Sequence, residues 1–219
     1  MPTPVAPLLA RLRSRLPAEL CELLASVPRL RRLTAAWHVR LPNAPRAPTP
    51  VRTLVVRLHL ANFRLWHAED RARRPGAPDR LIAETKRCID TLNQQRHDCI
   101  EQLDTLLYTR LYAGSGPPQA TAELHSETPA NLVDRLSILT LKVYHMGREA
   151  RRQDAAPGHR QACRQRLALL RTQYDDLYAC LGSLCLDLWW RRKWFKVYYQ
   201  CKMYNDPELN PEIYRHRTP

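Results

Sequence analysis

Apolar residues recur at spacings of three and four along most of this 219-residue chain, and breaks rich in Pro and Gly divide the pattern into four long runs. The first predicted helix extends from Val51 to Arg74 and is stopped by Pro75, Gly76 and Pro78. The second begins at Asp79 and reaches Tyr112, ahead of the break GSGPP; Ile82, Ile89, Leu92, Ile100, Leu103 and Leu107 make its core stripe. HSETP announces the third, with Thr128 as N-cap and Pro129 in the first turn, where a missing N–H costs nothing. That helix continues to near Arg152 and buries Leu132, Leu136, Leu139, Val143 and Met146, while Ile138 and Leu141 on its other side predict a central position. A fourth helix follows AAPGH and carries Leu167, Leu170, Tyr174, Leu177, Leu181, Leu184 and Leu188. No alternation of period two is long enough to specify a strand. The expected fold is therefore all-α, a bundle of four to six helices with short Pro/Gly-rich connections.

The polar positions complicate this pattern where it matters most. On the first helix Arg57, Arg64 and Arg71 form an outward stripe, and the opposite side holds His59, Asn62, Phe63, Trp66 and Asp70. Polar groups buried there need partners on other helices, because each neutral group left unpaired costs about 2–7 kcal/mol. The second helix offers an all-polar stripe of Lys86, Asp90, Asn93, His97, Glu101 and Asp104, and the third offers Asp134, Ser137, His145 and Arg148. Such a convergence is either a site or a polar lock, and the site is the preferred reading. The expected pocket is lined by His59, Asn62, Trp66, His67, Asp70, Asp90, Asn93, Glu101, His125, Glu127, Asp134 and His145, with Arg73, Lys86, Arg135 and Lys142 as anion-binding groups.

Residues 1–50 differ in composition. Pro is frequent, Arg11, Arg13, Arg15, Arg29, Arg31, Arg32, Arg40 and Arg46 face only Glu19 and Glu22, and one short amphipathic helix fits Pro17 to Ala25. This stretch is expected to be an extension and linker, followed by a bundle domain over 51–214 and a tail over 215–219. A net charge of +14 favours anionic partners without choosing among them. Seven cysteines without a C-x-x-C pair predict free thiols. The start of the chain lacks a secretory h-region, and no apolar run reaches about 18 residues. A cytoplasmic protein is expected, with a peripheral position at the inner membrane as the alternative.

Three kinds of chemistry fit these residues. Carboxylates on facing helices hold divalent cations, and Asp70, Glu101 and Asp104 are the candidate magnesium ligands; the E-x-x-D spacing of Glu101 and Asp104 is one that helical nucleotide pyrophosphohydrolases use. The Thr128 helix end is the best backbone anion site, although Glu127 is placed to fill it. From Trp189 to Tyr204 aromatic rings alternate with Arg and Lys, which suits a lipid interface or stacked bases, or else an amphipathic final helix packed on the bundle. No nucleic-acid motif accompanies it, so nucleic acid is not the expected partner.

The blocks HLANFRLWHAEDRAR with KRCIDTLNQQRHDCIEQLD, then HSETPANLVDRLSILTLKVYHM, then FKVYYQCKMYNDPELNP resemble a bacterial domain-of-unknown-function family, forty-two fifty-four, over residues 55 to 214. The family's recurring positions match at His59, Asn62, Trp66, His67, Glu69, Asp70, Arg73, Lys86, Asp90, Asn93, Arg96, Glu101, Asp104, His125, Glu127, Thr128, Pro129, Asp134, Arg135, Lys142 and His145. They match again at Lys202, Met203, Tyr204, Asn205, Asp206, Pro207, Asn210 and Pro211, while Tyr199 and Cys201 stand where Arg and Phe are usual. The resemblance implies an all-helical cytoplasmic protein near glycosyltransferases and envelope-polysaccharide synthesis, and it implies no mechanism. The expected function is a ligand-binding or accessory protein in sugar-nucleotide or cell-envelope glycan metabolism, with a phosphorylated or sugar-nucleotide ligand and a glycosyltransferase as partner. The alternatives are a magnesium-dependent phosphoanhydride hydrolase and a membrane-surface or nucleic-acid adaptor acting through the aromatic tail.

Overall fold

A computed structural model describes residues 16–42, 47–112, 121–199 and 206–215. The GSGPP break and Lys202, Met203, Tyr204, Asn205 and Cys201 of the C-terminal block lie outside the described residues. Helices dominate: α1 (Ala18–Ser26), a 3-10 turn (Val27–Arg29), α2 (Leu30–Trp37), α3 (Pro50–Ala72), α4 (Asp79–Tyr112), α5 (Pro129–Glu149), α6 (Pro157–Trp189) and a short α7 (Pro211–Tyr214). The four long helices fall where the apolar spacing puts them. Thr49 accepts from the Arg52 amide at the start of α3, Thr128 accepts from the Asn131 amide at the start of α5, and Pro occupies the first turn of each. Gly76, with φ of +73°, turns the chain back between α3 and α4.

The α3–α4 pair forms one layer and the α5–α6 pair another, with α5 also touching α2, α3 and α4. Its central position explains its two apolar sides: Leu132, Leu136 and Leu141 are all buried. Along α4, Ile89, Leu92, Ile100, Leu103 and Leu107 are buried as expected, but Ile82 is 40% exposed, since the first turns of α4 extend beyond their neighbours.

Two features depart from the sequence expectation. Residues 16–37 are not an extension: Leu20, Leu23, Val27 and Leu30 are fully buried in the main core alongside Leu58, Leu103, Leu136 and Leu181. The arginines of that segment turn outward and hide an ordinary amphipathic pattern. Residues 190–199 of the aromatic tail are not helical either. Lys193–Trp194 forms a two-residue parallel pairing with Glu123–Leu124, and Phe195 is fully buried in the core. Around it Trp189, Trp190, Tyr198 and Tyr199 remain exposed, with Arg192 over the Trp190 ring and Lys196 over that of Trp194. Among the described residues no helix is long and apolar enough to cross a membrane.

Candidate functional site

The polar side of α3 does meet polar groups from other helices, and they form one continuous chain. Thr34 of α2 donates its hydroxyl to the Leu30 carbonyl (2.9 Å), so its oxygen accepts from His59 Nε2 (2.9 Å). That fixes the tautomer: His59 Nδ1 is an acceptor, and the Ser137 hydroxyl of α5 donates to it (2.8 Å). Asn62 Nδ2 in turn donates to Ser137 Oγ (3.0 Å) and to Asp134 Oδ1 (2.8 Å). Both nitrogens of the fully buried His59 are thereby satisfied in its neutral form. Burial lowers its pKa to about 3, opposed in part by the Leu30 carbonyl. His59 and Asn62 thus tie α2, α3 and α5 together.

The chain emerges at a cleft of about 280 Å³ between α3, α4 and α5, lined among others by Trp66, Glu69, Asp70, Arg73, Asn93 and Arg96. Arg96, on α4, is three-quarters buried and approaches Asp134 only to 3.7 Å; its Nε is buried and makes no hydrogen bond. Its Nη1 reaches Asn93 at 3.5 Å, the limit of a hydrogen bond. On the opposite wall Arg73 pairs with Glu69 at 2.7 Å.

The other expected residues are scattered. Lys86 and Asp90 pair with each other one helical turn apart on the solvent side of α4. Arg135 and Lys142 line a separate groove between α5 and α6 with Asp176, Leu177 and Cys180. Glu127 binds Arg135 through both carboxylate oxygens, and His125 Nδ1 donates to the Glu127 carbonyl at 2.6 Å. Glu127 therefore leaves the end of α5 to Asp104, whose Oδ1 accepts the Ala130 amide at 3.0 Å. Burial raises the Asp104 pKa to about 7, against the lowering effect of the Thr128 and Ala130 donors.

Asp70, Glu101 and Asp104 do not form a shared metal site. Asp70 faces Asn93 and Arg96, whereas Glu101 and Asp104 line a different cleft with Ser126 and Thr128. The antiparallel packing of α3 on α4 accounts for this: Asp104 lies eleven residues beyond Asn93, about 16 Å along the axis.

A second polar cluster involves a residue that the sequence did not single out. His38, at the end of α2, meets His67 of α3 and His145 of α5 with ring centroids 5.1 Å from each. Phe63 packs edge-on to His38 and His67, Tyr144 stacks on His38 at 4.2 Å, and Trp66 stacks on His145 at 4.6 Å. Burial lowers the His145 pKa to about 4, helped by the neighbouring His38 and His67 and opposed by Asp70. His67 is lowered for the same reasons. His38 escaped notice because it sits in the arginine-rich segment; its one signal was a Trp-His pair closing an amphipathic run.

Residues 52–197 match the family described as protein of unknown function (DUF4254). No curated protein and no solved structure matches the chain.

Proposed function

Since the chain belongs to the family of proteins of unknown function (DUF4254), membership brings no activity with it, and we propose from the site that the protein binds a phosphorylated sugar of the sugar-nucleotide class. In this role it serves as a ligand-binding or accessory protein of sugar-nucleotide or cell-envelope glycan metabolism. The Arg96 guanidinium carries the reading. It is a cation held mostly out of water, at a cleft wall, whose buried Nε faces Asp134 Oδ1 at 3.7 Å, an ion pair too long for a hydrogen bond. A phosphate oxygen is the acceptor that suits it, and Arg73 stands on the facing wall for a second contact. Trp66 contributes an indole beside them; one face is covered by His145, and its remaining surface borders the cleft. Glu69, Asp70 and Asn93 offer acceptors and donors for hydroxyl groups. The volume lies near the lower end of the about 300–1,000 Å³ usual for ligand sites, which suits a sugar phosphate portion with the remainder of the ligand outside.

Thermal-shift and calorimetric titration with UDP-glucose and glucose 1-phosphate, in the presence of a chelator, tests this directly. The expected result is a rise in melting temperature for wild type. Arg96→Gln and Arg73→Gln should each weaken binding about 10- to 100-fold, the range of one charge-assisted contact. Arg73 is exposed and pairs only along its own helix, so its replacement leaves the fold intact. Absence of any shift in wild type, or wild-type affinity in both variants, overturns the proposal.

A further inference from the structure

We propose that His38, His67 and His145 form a binding site for a divalent transition metal ion, with zinc as the reference ion. One ring nitrogen from each residue lies within 4.8 Å of the other two, and these residues come from three different helical elements. A zinc ion at about 2.0–2.1 Å from each nitrogen requires ligands about 3.4 Å apart, which rotamer-sized adjustments reach from this arrangement.

The hydrogen bonding around the rings is that of ligands waiting for an electrophile. His38 Nδ1 donates to the Thr34 carbonyl at 2.7 Å, leaving Nε2 with its lone pair. That Nε2 is buried and has no hydrogen-bond partner, and His145 Nε2 is buried and equally unpartnered. Two orphaned nitrogens in one cluster need a reason. The rings packed around them are Phe63, Tyr144 and Trp66. A metal ion satisfies all three rings at once.

The surroundings also favour a cation. Asp70, one turn beyond His67, acts electrostatically on both His67 and His145, and it lines the same open cleft of about 910 Å³ as His38 and His67. Its carboxylate adds negative charge beside the three rings, and the open side leaves room for water to complete the coordination. Three imidazoles select zinc and its neighbours over magnesium, which prefers oxygen. This site adjoins the sugar-phosphate cleft: Asp70 lines both, and Trp66, which lines that cleft, stacks on His145.

The test uses the full chain with any affinity tag removed and metals stripped. Calorimetric titration with Zn²⁺ is expected to give one ion per chain, and Mg²⁺ none at this site. The Co²⁺ form should show nitrogen and oxygen coordination without a thiolate charge-transfer band, which separates the site from the cysteines. His38→Ala and His145→Ala should each weaken binding at least about 100-fold. Should His145→Ala melt too early, His38→Ala carries the test, because His38 caps the end of α2 outside any helix interior. A wild type that binds no ion, or unchanged affinity in folded His38→Ala, overturns the proposal.

Discussion

His59 shows how a single buried imidazole can set the pH range of a fold. Both of its nitrogens are used in the neutral tautomer, donating to Thr34 and accepting from Ser137, so a second proton would have to break the Ser137 contact. Its folded pKa of about 3 lies below the value near 6.5 for an exposed histidine. Below pH 6.5 the unfolded chain takes up a proton that the folded chain refuses. The stabilisation from a neutral His59 is thus complete above pH 6.5 and is lost as pH falls towards 3. Replacing His59 by Gln removes the titration while keeping one donor and one acceptor. Urea unfolding between pH 7 and 4 should show wild type losing stability relative to His59→Gln by up to about 1.4 kcal/mol per pH unit; parallel curves would show that His59 is not held neutral. Comparing the two proteins cancels Asp104, which acts in the opposite direction because its pKa is raised. The sequence disclosed that His59 and Asn62 must find partners, since they share a helix side with Phe63. It could not disclose Thr34, whose neighbours Arg31 and Arg32 make the segment look like a solvated tail.

The ends of the helices were legible wherever a side chain or Pro marks them. Thr49-Pro50 and Thr128-Pro129 each begin a helix within a residue or so of the expected place, whereas α6 begins at Pro157, inside the AAPGH stretch expected to precede it. The end of α6 carries no such mark. The Arg192 amide bonds back to the Asp187 carbonyl (2.9 Å) and the Arg191 amide to that of Leu188 (3.2 Å), a Schellman closure that places Arg191 at φ +58°. Glycine is the usual residue there, because a Cβ in the left-handed region costs about 1 kcal/mol or more. Arg191 offsets this by laying its guanidinium 4.9 Å from the Tyr112 ring centre and donating to the Leu111 carbonyl at 3.3 Å. This closure also directs the following residues into the β pairing and Phe195 into the core, where sequence pattern suggested continued helix. Arg191→Ala keeps the strain and loses the contacts, whereas Arg191→Gly loses the contacts but relieves the strain. The glycine variant should therefore be the more stable of the two by about 1 kcal/mol in chemical denaturation. If alanine proves equal or better, Arg191 is not strained in solution.

Family membership begins at residue 52, but the folded unit begins earlier. Leu20, Leu23, Leu24, Val27 and Leu30 are at most 3% exposed, and α2 brings Thr34 to His59 and His38 to His67 and His145. Burying each of those five aliphatic side chains is worth about 1.5–3 kcal/mol, and their sum rivals the about 5–15 kcal/mol by which a whole domain is stable. A truncated chain starting at Pro50 would expose the facing side of the core, including Leu58, Leu103 and Leu136, which pack in the same cluster. Helical content should largely persist, because α3 to α6 keep their own pairings, but cooperative melting should vanish and dye binding to exposed apolar surface should rise. Leu23→Ala in the full chain is the milder version, expected to cost about 2–5 kcal/mol through the cavity it leaves. A truncated chain that melts cooperatively near the wild-type temperature would reassign α1 and α2 to an accessory role. The same truncation removes His38 and therefore must also weaken zinc binding. A stable truncated protein that retained full zinc affinity would contradict both the three-histidine site and the placement of α2 in the core.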